Sequence, residues 1–97
     1  MSVLQWSTSG SGRRIFREWP DEDQVIVYDT ATGDTHLIEA LGMDVLQVLE
    51  ASPGTTAHLS HALADRFEAS DHGAVVEYIT ATLHRLQDAG LVASTSL

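Results

Sequence analysis

Near residue 39 the hydrophobic pattern of this 97-residue chain changes period, and that change dictates the fold class. Before it, apolar residues tend to alternate with polar ones, as in a half-buried strand. After it, they recur every three or four positions, as in helices that are apolar along one stripe. Strands grouped first and helices grouped second predict an α+β fold, with the helices covering one face of an antiparallel sheet.

The first half divides into three strands. Residues 14–19 form the first, ended by the turn Pro20-Asp21-Glu22-Asp23. The second, Gln24-Val25-Ile26-Val27-Tyr28-Asp29, is rich in β-branched and aromatic residues. A loop of four residues, 30–33, ends in a glycine that can take positive φ, and it leads into the third strand, Asp34-Thr35-His36-Leu37-Ile38. This register sets Tyr28 opposite Thr35 and Val27 opposite His36. It places Val25, Val27, His36 and Ile38 on one face, and Val25, Val27 and Ile38 are the expected core side. Two consecutive hairpins imply the order first, second, third, leaving the third strand at an edge.

In the second half, Leu41, Val45, Leu46, Val48 and Leu49 predict a helix over 40–51, stopped by Ser52-Pro53-Gly54. Thr55 or Thr56 caps a second helix over 57–68, with Leu59, Leu63 and Phe67 along its stripe. A third runs over 72–88 behind a cap at Ser70-Asp71. Its stripe is Val75, Ile79, Leu83 and Leu86, and Gly90 stands at the C-terminal cap position. Residues 1–12 read as a flexible start from which Trp6 docks on the body, so that 13–97 make one domain. Leu91-Val92-Ala93 adds a short strand or docks in turn.

Charge restricts the partners. Five Arg+Lys against fourteen Asp+Glu give 5 − 14 = −9. That balance argues against duplex DNA, which is held largely by neutralising phosphates, and against anionic membranes. No cysteine is present, so disulfides and thiolate metal sites are excluded. Neither a membrane-length apolar run nor a signal-peptide pattern is visible, and a cytoplasmic protein is expected.

Candidate chemistry is sparse. His58, His61 and Asp65 share helical spacing but fall short of a zinc site with a second shell, and they read as solvated helix polars. His72 and His84 read as exposed. Ser60-His61 and Ser70-Asp71-His72 lack the convergent geometry of a triad. Gly10-Ser11-Gly12 precedes a strand, so it offers no helix N-terminus to a phosphate. The second and third helices have the layout of a helix–turn–helix pair, but 72–88 carries Arg85 as its one basic residue beside Glu77 and Asp88. The remaining feature is the edge 34–38, with no Pro and no Lys to block a further strand. An unguarded edge beside a helix suits peptide capture by strand addition, unless the N-terminal segment or a dimer partner covers it.

The run from Phe16 to Asp29, then Thr32-Gly33-Asp34-Thr35-His36-Leu37-Ile38 and an apolar helix with Leu46 and Leu49, resembles the PqqD family. It is closest in pattern to the PqqD-like peptide chaperones of HPr-rel-A systems. The ending Leu83-x-x-Leu86-x-x-Ala89-Gly90-Leu91-Val92 fits the same pattern, and the resemblance spans about 14–93. It implies a RiPP recognition element: a winged-helix-like domain, three strands followed by three helices, with no catalytic role and no cofactor or metal. The implied partners are the leader of a ribosomally made precursor peptide and a modifying enzyme, with an HPr-kinase-related protein a candidate. Nucleic acid and membrane are not implied, and a monomer or a homodimer is compatible. The implied contacts are Asp34, Thr35, His36, Leu37 and Ile38 on the strand. On the third helix, Tyr78, Thr82 and Arg85 form the best-placed row, with Arg85 set to meet an acidic leader residue. The alternatives are a winged-helix DNA-binding regulator and a small dimerisation module pairing through the same edge.

Overall fold

A computed structural model describes residues 3–9, 14–18, 23–30, 33–67 and 72–96, apart from the side chains of Arg66 and His72. Residues 20–22 of the first turn, the 10–12 glycine segment and the Ser70-Asp71 cap lie outside the described residues. The chain is a small α+β fold with antiparallel sheets and three helices. In chain order the elements are β1 (Leu4–Thr8), β2 (Arg14–Glu18), β3 (Gln24–Asp29), β4 (Thr35–Glu39), α1 (Ala40–Ala51), β5 (Gly54–Thr55), α2 (Thr56–Ala62), α3 (His72–Asp88) and β6 (Val92–Ser96).

The expected three-stranded sheet is present as β2-β3-β4, with β3 in the centre. Its register pairs Tyr28 with Thr35 and Val27 with His36. Gly33, at φ +78°, turns the chain. Its N–H donates to Asp29 O (2.8 Å), and Asp29 N–H donates to Asp34 O (2.9 Å), closing the four-residue loop. Val25 and Val27 are buried and Ile38 packs against the core, so the assignment of faces holds.

Three strands followed by three helices is, however, too simple an order. A second sheet, β5-β1-β6, brackets the helical half. The flexible start expected over residues 1–12 is a strand from Leu4 to Thr8, paired with β6 along its whole length, from Leu4↔Ser96 to Thr8↔Val92. The physical reason is Trp6. Its side chain is 2% exposed and sits in the same cluster as Leu46, Leu59, Ile79, Leu83 and Val92. Its indole N–H donates to Thr56 Oγ1 at 3.2 Å, the partner a buried Trp requires. Burying so large a ring draws its neighbours into extended backbone, and Thr and Trp both suit a strand.

The second helix also differs from expectation. It ends at Ala62, and a 3₁₀ turn (Ala64–Arg66) replaces the rest. Thr55 supplies the cap, its Oγ1 accepting from His58 N–H at 3.1 Å. The tighter turn lets Phe67 leave in extended backbone and set its ring edge-on to Tyr78, with centroids 5.9 Å apart. The third helix has the expected span and stripe, with Val75, Ile79, Leu83 and Leu86 buried. At its end Gly90, at φ +79°, donates to Gln87 O, and Leu91 N–H donates to Leu86 O, both at 2.9 Å. This paired C-terminal closure directs Leu91 and Val92 into the core.

Arg14 straps the two sheets together. Its side chain, 3% exposed, leaves β2 and donates to the carbonyls of Ser9 and of Leu91, the latter at 3.1 Å, while Glu50 lies 3.9 Å from Nη1.

Since large-to-small changes at buried aromatics cost about 3–5 kcal/mol against a total of about 5–15, Trp6→Ala is expected to leave little folded protein. A urea titration followed by far-UV circular dichroism checks this. A midpoint near wild type would mean that the N-terminal strand is dispensable.

Candidate functional site

Backbone hydrogen-bond parity decides what the β4 edge offers. In an antiparallel pair, residues alternate between those bonded to the neighbouring strand and those facing away. The bonds Asp29 N–H to Asp34 O and Ala40 N–H to Asp23 O fix the parity: residues 34, 36, 38 and 40 face β3. Thr35 and Leu37 therefore direct their N–H and C=O groups outward, and Glu39 its N–H, while the Glu39 C=O, at the N-cap, accepts the first bond of α1. Among the described residues no strand pairs with that side of β4.

Beside this edge runs a groove of about 410 Å³ between β4 and α3, within the size range of ligand sites. Its apolar lining comes from Ile38 on β4, Gly42 on α1, and Leu86 and Ala89 on α3, and its polar lining includes Thr35, Glu39, Thr82 and Arg85. A second depression of about 520 Å³, on the flank of α3 formed by Val76, Thr80 and His84, is shallower and has no strand edge. It lacks the outward backbone donors that border the first groove.

The expected site residues fall into three groups. Thr35, His36, Leu37, Ile38, Thr82 and Arg85 line the groove together. Asp34 does not: it lies in the hairpin with its carbonyl turned to Asp29. Tyr78 stands beyond the groove end, and its hydroxyl donates to Glu39 Oε2 at 3.4 Å. Thr82 is 3% exposed, and its hydroxyl donates to Tyr78 O at 3.0 Å. That leaves it a spacer in the wall, with its donor already committed. Arg85 is paired within the chain, 3.7 Å from Glu39 Oε1, and its Nη2 also donates to Thr82 Oγ1 at 3.4 Å. Both ends of this bridge are well exposed, so it contributes at most about 1 kcal/mol.

Glu39 and Gly42 are the functional candidates that pattern reading passes over. Glu39 occupies the N-cap of α1, where Ser, Thr, Asp or Asn would bond the helix's first N–H groups. Its side chain makes no such bond and reaches Tyr78 and Arg85 instead. Gly42 lies inside α1, where Gly costs roughly 1 kcal/mol relative to Ala. A Cβ there would meet Ile38 Cδ1 at 3.4 Å and Leu86 Cδ2 at 3.6 Å, close to ordinary contact. Packing thus tolerates alanine, and what the glycine preserves is space in the groove floor.

His58, His61 and Asp65 are exposed, and among the described residues no three His, Cys, Asp or Glu side chains gather to hold a metal. Nor is any helix among those residues long and apolar enough to cross a membrane. No protein-family model, curated protein or solved structure matches this chain.

Gly42→Ala is expected to stabilise the fold by up to about 1 kcal/mol, raising the melting temperature by about 4–8 °C, while its methyl enters the groove floor. Differential scanning calorimetry reads the first effect. A lower melting temperature would show that the position is too tight for any side chain.

Proposed function

We propose that this chain is a non-catalytic peptide-capture domain of the PqqD-like, winged-helix type, acting in the cytoplasm. It takes up the leader of a ribosomally made precursor peptide as an added strand on β4 and presents it to a modifying enzyme. The observation that carries the reading is the row of outward backbone groups at Thr35, Leu37 and Glu39 beside an apolar-floored groove. Strand addition needs both: backbone pairs for affinity and pockets for alternate side chains. The residue pattern shared with PqqD-like proteins supplies the leader peptide and the enzyme as partners.

Among the alternatives, DNA reading is the weaker. The one arginine of α3 is tied to Glu39, and a duplex reader needs several phosphate contacts. Self-pairing has a specific basis. The same outward row is compatible with β4 meeting its own copy about Leu37, whose side chain is 61% exposed. Sedimentation separates the two readings: capture predicts a monomer that binds peptide, whereas self-pairing predicts a dimer that does not.

Leu37→Pro tests capture directly. Its N–H faces away from β3, so proline removes a donor from the edge without breaking the hairpin. The variant is expected to keep its circular dichroism spectrum and to lose the amide shifts at Thr35 and Glu39 caused by a short capped peptide alternating Val and Ser. Ile38→Pro, whose N–H faces β3, is expected to destabilise the fold. Undiminished peptide shifts in a folded Leu37→Pro protein would contradict strand addition on β4.

A further inference from the structure

The charge around β4 identifies the chemistry of the captured strand, an inference that rests on the strand-addition reading above. The net charge is −9, and all five basic residues are arginines. Arg14 and Arg17 lie on β2, the opposite edge of the sheet. Among the described residues whose side chains are placed, Arg85 is the one arginine at the groove, and it is bridged to Glu39. Acidic residues also stand near both ends of β4: exposed Asp34 in the hairpin before Thr35, and exposed Asp23 on the β3 side, its carbonyl accepting from Ala40 N–H.

A strand laid on β4 must pass the Glu39–Arg85 bridge, and two exchanges can open it. An acidic ligand side chain can take Arg85 from Glu39, or a basic one can take Glu39 from Arg85. Locally the two are equivalent, since each forms one ion pair and leaves one exposed charge in water. The field of the whole molecule separates them. An acid approaches against a net charge of −9, whereas a base is drawn in by it.

We infer that the groove takes an extended basic peptide. Apolar side chains at alternate positions meet Ile38, Leu86 and Ala89, and an Arg or Lys is set against Glu39. Arg85 is then a competitor for Glu39 rather than a ligand for the peptide. It follows that neutralising Arg85 strengthens capture, whereas an acid-binding role would require the opposite.

The experiment uses the full chain and three short capped peptides with Val at alternate positions and Ser, Arg or Glu between them. Amide shifts are followed by NMR at low and at physiological salt. The Arg peptide is expected to bind tightest and the Glu peptide weakest, with shifts at Thr35, Leu37 and Glu39. Its advantage should shrink as salt screens the field. Arg85→Gln is expected to tighten the Arg peptide about two- to fivefold, the range of one exposed ion pair, and Glu39→Gln to weaken it by a similar factor. Equal binding of the three peptides on β4, or a preference for Glu, overturns the charge assignment and leaves strand addition standing. So does weaker Arg-peptide binding by Arg85→Gln. An Arg preference undiminished in Glu39→Gln is diffuse attraction to the acidic surface and also overturns it. Shifts on β4 from none of the peptides overturn strand addition itself, and this inference with it.

Discussion

The pairing of the two chain ends with each other controls everything else in this fold. β1 and β6 run antiparallel from Leu4↔Ser96 to Thr8↔Val92, and Trp6 fixes that ladder to the helical core. β1 bonds to β6 on one side and to β5 on the other, so both strands lie in a sheet of their own rather than along β4. The closure at Gly90 contributes to the same result by directing the chain after α3 into β6 and away from β4. Among the described residues the β4 edge is left open, and β1 and β6, which could have covered it, are held elsewhere by their own ladder and a buried indole. Arg14 holds the β2-β3-β4 sheet to this arrangement from the β2 side, bonding the carbonyls of Ser9 and Leu91.

The open edge alone does not make a receptor, and magnitudes show why. The outward N–H and C=O groups of Thr35 and Leu37, with the Glu39 N–H, offer up to about five hydrogen bonds, each contributing about 1 kcal/mol net. Association costs an estimated 4–15 kcal/mol, and ordering a flexible peptide adds about 2–5. Backbone pairing therefore falls short, and the balance must come from apolar side chains, at about 1.5–3 kcal/mol for each one fully buried. The floor made by Ile38, Gly42, Leu86 and Ala89 is where that burial is available. This makes the glycine in α1 intelligible: it gives up helix propensity where a methyl would narrow the groove.

How much of this was legible in the residues depended on whether the signal was local. The β3–β4 hairpin was readable to the residue, because Asp29 and Gly33 set a loop length and the loop length sets the register. The stripe of α3 and its cap were readable for a similar reason: spacing within one helix carries them. β1 and β6 were not. Their sequences, Leu-Gln-Trp-Ser-Thr and Val-Ala-Ser-Thr-Ser, look like polar tails, and only pairing across nearly the whole chain makes them strands. The break in α2 was hidden because Leu59, Leu63 and Phe67 fit a continued helix as well as a tightened turn. At the site, Thr35 to Ile38 followed from the edge argument and Thr82 and Arg85 from the helical row. Glu39 was missed because an acid after a strand reads as a solvated end, and Gly42 because a glycine has no side chain to enter a pattern. Both break a local rule, one a poor N-cap and the other a poor helix residue, and such breaks mark positions where something other than folding sets the choice.

In the proposed capture, the outer face of the sheet adds a second level to recognition. Ile15 lies opposite Tyr28, and Ile26 opposite Leu37, so cross-strand pairs of large apolar residues run towards the open edge on the side away from the helices. Ile15, Tyr28 and Leu37 are all exposed. A strand added to β4 alternates its side chains between the two faces. In the proposed capture, one set enters the groove and the other extends this ladder beside Leu37. The two faces ask for different things. The groove has limited room and a charged mouth, whereas the outer ladder accepts any side chain that prefers a flat apolar neighbour. In that reading, selection by size rests with the groove-facing positions and selection by charge with the position set against Glu39, while the rest of the outer ladder lends affinity with little discrimination. Under the proposed capture, such an edge would hold peptides of varied sequence in one register, as long as the alternate residues that face α3 fit and a basic residue meets Glu39.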